Sequence, residues 1–415
     1  MSFYHGLSGL NASSKNLDVI GNNIANSSTT GFKASRAEFN EMVANAMGAA
    51  SGKNSGIGVG LAAVAQQFSL GVIVPTNNGL DMAINGDGFF VVNTSNGTAY
   101  TRSGNFQLNK MGELVTVNGD KVMGYPVDPN TGLRTSVTPT ELIFPTGAPI
   151  PAKQTQNIWA TLNLDARANL AAGDSTATPP IEPTPRATYG TSVTVYDSLG
   201  AAHPATVYFE KTGPNEWEVY DSLDPAAASI GTLTFNNNGT LASAVPAPPA
   251  AATDPFQLTI TPATGAASPF AVNFDMSKAT QYGSSWSIAK IPQDGYASGE
   301  LTDVQVSADG TLTASYSNGV TRAEAQVAVA KFANVQGLIP DGNNNWVASN
   351  DSGEAILGTA GSGTFGNIQG NALEQSNVDL TAELVNMMTA QRAYQANAQT
   401  IKTQDQIFST LVNLR

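Results

Sequence analysis

The 415-residue chain contains no cysteine, which excludes disulfides, thiolate metal sites and cysteine nucleophiles together and suits a protein that crosses compartments without redox help. Positive charge is scarce, with 19 Lys and Arg against 32 Asp and Glu for a formal net charge of -13. The two histidines, His5 and His203, are far apart and add nothing to it. There is thus no basic footprint for nucleic acid or anionic lipid. No run reaches 18 apolar residues, and MSFYHGLSGLNASSKN at the start has neither a basic opening nor an apolar core. Neither a membrane span nor a cleavable secretory signal is expected. Charged residues make up 12 % of the chain, while glycine occurs 40 times among many Asn, Thr and Ser. That composition leans towards exported β-rich proteins and away from cytosolic enzymes.

What is present is periodicity, and it is strongest at the ends. Between residues 372 and 415, apolar side chains recur every seventh position at Leu380, Met387, Tyr394, Ile401 and Phe408, flanked by Leu384 and Leu411. No Gly or Pro interrupts the helical part of this stretch, so it reads as one long helix with a coiled-coil seam. Ser376 and Asn377 are the expected caps, with Asp379 and Glu383 near the positive end of the dipole. A single apolar stripe cannot bury itself. Phe3, Leu10, Leu17 and Ile24 repeat with the same period, supplemented by Leu7 and Ile20, so the first 25 residues write a shorter matching stripe. Gly6, Gly9 and Gly21 each cost that helix about 1 kcal/mol relative to Ala, so it is expected to be unstable alone.

Between the ends the pattern changes to strands. After a turn-rich segment, residues 31–77 read as a connector, with a short helical stretch from Phe39 to Met47, a flexible Gly/Ser/Asn run and a strand over residues 68–74. Residues 78–145 alternate with period two between NGDG, SNGT, NKMG and VNGD turns, the signature of antiparallel hairpins. Nineteen of the 22 prolines lie from Pro126 to Pro269, which excludes long helices there. Strands are expected at residues 192–196, 206–210, 216–220 and 256–260. The earlier style returns beyond Tyr296, at residues 303–307, 311–316 and 325–333. The expected fold is multidomain, mainly β with α-helical coiled-coil termini and nested, discontinuous β domains. Its parts are a terminal helical domain (1–30 with 372–415), the connector, an inner β domain (78–145 with 296–371) and an outer inserted β domain (146–295).

Catalytic and metal chemistry is not visible. The run Gly56-Ile57-Gly58-Val59-Gly60 lacks nucleotide-loop spacing and a Walker lysine and reads as a flexible loop. Asp128-Pro129-Asn130 and Asn236-Asn237-Asn238 resemble calcium-loop starts without the closing Glu. His203 has no acid or nucleophile at a diagnostic spacing, and there is no GxSxG elbow. Trp159, Trp217, Trp286 and Trp346 are too scattered to read as a glycan platform and are expected in packing. No catalytic residue, metal ligand or cofactor site is expected, and the alternative of an exported glycan-binding protein or enzyme with helical oligomerisation tails has no constellation to support it.

The ends also carry a resemblance. GLSGLNASSKNLDVIGNNIANSSTTGFKASRAEF, in particular Asn22-Asn23-Ile24-Ala25-Asn26, Thr29 and Gly31-Phe32-Lys33, resembles the N-terminal signature of the bacterial flagellar rod and hook family. SNVDLTAELVNMMTAQRAYQANAQTIKTQDQIFSTLVNLR is similar to the family's C-terminal signature, and LDMAINGDGFFVV and YTRSGNFQLNKMGELVTVNGDKVMGYPV resemble its first β domain. Length and the large insertion resemble the hook members more than the shorter distal rod members. The resemblance implies a structural subunit that polymerises with itself into a curved flexible tube and transmits torque. It further implies contact with distal rod, hook cap and hook-filament junction proteins, export without a cleavable signal through the flagellar type III apparatus, and an extracellular location at the hook and basal body. It implies no nucleic-acid partner, no membrane insertion and no cofactor. The unpaired stripes lead to a first expectation: in dilute monomer, limited proteolysis with mass spectrometry finds residues 1 to about 30 and about 372 to 415 cut before the middle of the chain. Equal protection of ends and middle would count against it.

Overall fold

The computed structural model describes residues 2–43, 56–128, 131–144, 149–248, 255–262 and 265–413. The chain is mainly β, with several separate sheets and a helix at each end. It divides into two compact units, one of Met1–Gly147, Thr302–Ser315 and Thr321–Arg415 and one of Ala148–Leu301 and Tyr316–Val320.

In the first unit, α1 (Ser2–Ala25) and α2 (Leu380–Asn413) run antiparallel. Gly6 faces Ile401, Gly9 and Ser13 face Asn397, and Asn23 faces Glu383. A Cβ on Gly6 would lie 3.0 Å from Ile401 Cγ1, and one on Gly9 2.9 Å from the Asn397 amide. These glycines weaken α1 as a helix but let the two backbones come close. The cap of α2 is Asp379, whose Oδ1 accepts from Thr381 N at 2.9 Å and Ala382 N at 3.1 Å. Ser376 and Asn377 do not cap it, because the Asn377 side chain is committed elsewhere, to Ala34 N and Gln67 O.

The connector contains regular structure. Strand Ser35–Val43 pairs antiparallel with Gly56–Gln66, with Phe39 opposite Leu61 and Ala37 opposite Val64. The helical reading from Phe39 onward is therefore incorrect as far as Val43, and the rest of that stretch lies outside the described residues. The Gly56 to Gly60 run is a strand start and not a loop. Cross-strand pairing satisfies the backbone groups of both segments, and this outweighs a weak local helical pattern. The strand placed at residues 68–74 is shorter and later, Ile73–Pro75, and pairs with Ala372–Glu374. The rest of this unit is built on a large sheet whose path includes Thr321–Lys331, Lys121–Pro126, Phe89–Thr94, Gly97–Thr101, Asn345–Val347 and Ile339–Gly342 in that order. Phe89, Tyr100, Phe332 and Trp346 pack edge to face in one of its cores.

The second unit is closed around its own core. A five-stranded antiparallel meander, Gly190–Tyr196, Ala202–Gly213, Glu216–Tyr220, Gly231–Phe235 and Leu241–Pro246, alternates buried and exposed residues. Two three-stranded sheets include Phe256–Ile260 with Phe270–Asp275, and Thr161–Asp165 with Thr280–Tyr282. Trp217 is fully buried at the centre among Phe209, Val219, Leu233 and Phe274, with the Tyr189 ring edge-on at 5.4 Å. Trp217→Ala is expected to destabilise this unit by about 3 to 5 kcal/mol. Denaturant unfolding followed by near-ultraviolet circular dichroism checks this; an unchanged midpoint would contradict it.

Candidate assembly site

The segment that follows α1 is built from short polar side chains that end the helix and turn the chain. Asn26 N donates to Asn22 O at 3.1 Å, the Asn26 amide donates to Asn22 Oδ1 at 3.0 Å, and Thr29 Oγ1 donates to Asn26 Oδ1 at 3.2 Å. Ala25 is the exposed last residue of the helix. Gly31 has φ +71°, and a Cβ there would meet Ser103 N at 2.6 Å, so both its backbone angle and its contact require glycine. Asn23, one of the most buried polar residues, copies a strand partner: its amide oxygen accepts from Ser35 N at 2.9 Å and its nitrogen donates to Ser35 O at 2.8 Å.

Gly31 and the half-buried Phe32 deliver Lys33 into a closed charged junction. Lys33 Nζ donates to Glu374 Oε1 and, at 2.7 Å, to Ser69 O. Arg102 Nη1 donates to Glu374 Oε2 at 3.2 Å, and its guanidinium also reaches Ile84 O and Gly86 O while lying 5.3 Å from the Phe89 ring centre. The side chains of Lys33 and Glu374 have no exposure, and that of Arg102 has 6 %. Burial pulls both the Lys33 ammonium and the Arg102 guanidinium below their usual values, and the Glu374 carboxylate opposes that shift. Backbone N–H groups tie the Lys33 and Glu374 segments, and the chain at Gly71, together: Gly31 N donates to Glu374 O at 2.8 Å, Gly71 N to Glu374 Oε1 at 2.9 Å and Ala34 N to Asn377 Oδ1 at 2.7 Å. Sequence reading found Lys33 but missed Glu374, Arg102 and Asn377 as its partners.

The helix seam residues separate into two groups. Leu10, Leu17, Ile24, Met387 and Ile401 are half-buried, and Ile20 and Ala390 are buried with them. Leu7, Leu380, Leu384, Tyr394 and Phe408 are exposed. The side chains of Phe3 and Leu411 lie outside the described residues. Asn397 and Ala390 therefore serve α2 on its α1-facing side, and a second apolar row, Leu380, Leu384 and Met388 at intervals of four, points away from the pair.

Other candidates hold no reactive arrangement. Among the described residues there is no group of three or more His, Cys, Asp or Glu side chains that could hold a metal ion, and no helix is long and apolar enough to cross a membrane. His203 does have an acid partner: Nε2 lies 2.9 Å from Oδ2 of the buried Asp197 across a hairpin turn. Asp197 Oδ1 also accepts from Leu199 N and Ala201 N, so the pair fastens the turn. Trp217 and Trp346 are core residues, while Trp159 is 43 % exposed.

Two helical ends locked together beside a β scaffold, with an unpartnered apolar row on one of them, define a polymerising structural subunit. Comparison with known proteins makes this specific. Family models match at residues 3–33 (flagella basal body rod protein), 83–158 (flagellar hook protein FlgE/F/G D1 domain), 163–296 (flagellar basal body protein FlaE D2 domain) and 369–414 (flagellar basal body rod FlgEFG protein C-terminal). The chain is 44 % identical over 426 residues to the flagellar hook protein FlgE of Escherichia coli K12, and 43 % identical over 427 residues to that of Salmonella typhimurium, covering all of both proteins in each case. It is 32 % identical over 443 residues to that of Borreliella burgdorferi, covering 100 % of this chain and 99 % of the relative. The fold is also similar to the crystal structure of Helicobacter pylori flagellar hook protein FlgE2, at TM-score 0.50 and 15 % identity, covering 73 % of this chain and all of the other. The chain belongs to the flagellar hook protein FlgE family.

The junction generates a graded expectation. Glu374→Ala leaves two buried cations without their shared anion and is expected to cost about 3 to 5 kcal/mol. Lys33→Met leaves the Glu374 to Arg102 pair intact and is expected to cost less. Thermal unfolding of the two variants measures this, and a Lys33→Met loss equal to or larger than that of Glu374→Ala would contradict the shared-anion geometry.

Proposed function

We propose that copies of this chain polymerise through their paired helical ends into the curved, flexible tube of the flagellar hook, which couples the rod to the filament and transmits motor torque. The observation that carries this reading is the outward apolar row on α2: Leu380, Leu384 and Met388 are each about half exposed, and Ile407 and Phe408 continue the apolar surface near the C-terminal end. Burying such a side chain is worth about 1.5 to 3 kcal/mol, and a helical array repeats that gain at every copy. Phe3, Leu7, Leu10, Leu17, Ile24, Leu380, Leu384, Met387, Tyr394, Ile401, Phe408 and Leu411 form the assembly interface in this reading, the half-buried members within the chain's own helix pair and the exposed members between copies. The signature residues Asn22, Asn23, Ala25, Asn26, Thr29, Gly31, Phe32 and Lys33 hold the helix pair to the inner sheet.

Family membership supports contact with related basal-body proteins. We take the neighbours to be distal rod, hook cap and hook-filament junction proteins, reached after export through the flagellar type III apparatus to an extracellular position. The four-part layout, with a terminal helical domain, a connector, an inner β domain and an outer inserted β domain, belongs to the same proposal. Its function is structural and not catalytic.

Leu384→Asp and Met388→Asp are expected to abolish tubes while leaving the monomer's circular dichroism and thermal transition unchanged, because each alters only the outward row. Electron microscopy and thermal scans of the same samples check both statements. Normal tubes from both variants would refute the role given to this row.

A further inference from the structure

A cavity of about 250 Å³ lies in the first unit beside the signature turn, lined by Thr29 and Thr30, by the turn at Asn118 and by Asn343 to Asn345. Its lining contains hydroxyls and carboxamides but no charged side chain and no aromatic ring. Several of these groups are already engaged in building the walls: Asn344 donates to Thr30 O at 3.1 Å, Thr101 Oγ1 donates to Asn344 O at 2.8 Å, and Asn345 donates to Asp120 Oδ2 at 2.9 Å. Others have capacity to spare. The Asn105 amide uses only its oxygen, on Ser103 Oγ, and the Asn118 and Asn343 carboxamides make no hydrogen bond to other described residues. Asn343 and Asn344 are consecutive left-handed residues, φ 52° and 59°, which fixes the wall they form as a tight turn.

We propose that this cavity is a socket for an uncharged turn of a second copy of the chain, read through its peptide groups. Three observations converge. Free carboxamides present donors and acceptors together, which complements peptide N–H and C=O. A saccharide would favour an aromatic stacking surface, and none lines the cavity. A chain with net charge -13 repels its own copies, so a contact between copies is favoured where the facing side chains are uncharged, as those lining this cavity are, the adjoining Asp120 carboxylate being bonded to Asn345 and Thr116. The proposal rests on the polymerisation reading above and adds a specific contact to it.

The absence of cysteine makes the test direct. In Asn118→Cys the introduced thiol is the only one, and its maleimide labelling is timed in monomer and in assembled tubes, with Thr30→Cys as a second probe should the first variant not assemble. Labelling in tubes is expected to be at least tenfold slower than in monomer. Asn118→Asp and Asn343→Asp are expected to keep the wild-type thermal transition and to need a severalfold higher protein concentration to polymerise, a deficit reduced by added salt. Equal labelling rates in tube and monomer, or charge variants that polymerise at the wild-type concentration, would overturn the socket alone. A wild-type chain that forms no tubes would overturn the polymerisation reading and the socket with it.

Discussion

Glu374 cannot be buried by itself. Taking a carboxylate out of water costs several kcal/mol, and the structure offsets this with two cations and the Gly71 N–H donor, from separate parts of the chain. Lys33 arrives from the N-terminal signature, Arg102 from the residue after strand Gly97–Thr101, and Glu374 from the strand that leads into α2. The three segments meet at this one carboxylate, which Lys33 and Arg102 share, so the two cations are left without a counter-charge only when Glu374 is absent. Such a junction adds little net stability compared with an apolar core, while removal of its shared anion is strongly destabilising. It fixes where both helices leave the sheet.

The helix pair then works with what that anchor leaves to it. Gly6 and Gly9 draw α1 against Asn397 and Ile401, so the inner side of α2 mixes the small and polar Ala390 and Asn397 with Met387 and Ile401. The large apolar residues Leu380, Leu384 and Met388 are left on the outer side. A helix that spent its large residues on its own partner would have less apolar surface for other copies. Close packing within the chain and exposed apolar surface on α2, the surface proposed for contact with other copies, both follow from the same glycines.

How much of this was legible in the sequence depends on the range of the interaction. Period seven found both helices, and NG or DG turns with period two found most strands of residues 78–145, because these signals are local. The hairpin of Ser35–Val43 with Gly56–Gln66 was missed because its weak helical pattern is local while the pairing that defeats it is not. The charge junction was missed for the same reason: Lys33 and Glu374 are separated by 341 positions, and no spacing rule reaches across that distance. The heptad also could not say which side of α2 meets α1. That is decided by the absence of Cβ atoms at Gly6 and Gly9, which favours the face carrying Ala390 and Asn397 over the one carrying Leu384.

A subunit this acidic must join copies that repel one another. Lys33 and Arg102, two of only 19 cations, are buried in the junction with Glu374 and so do not offset the acidic surface. In the proposed assembly, adhesion therefore falls to uncharged surface: apolar side chains on α2, and amide and hydroxyl groups elsewhere. Surface repulsion is screened over roughly 8 Å at physiological ionic strength, whereas apolar contact acts only at van der Waals range. The two forces therefore act at different distances, repulsion opposing crowded or misplaced contacts and apolar burial holding those in register. A polymer balanced in this way can hold firmly along its helices and still leave its more polar surfaces free to exchange partners.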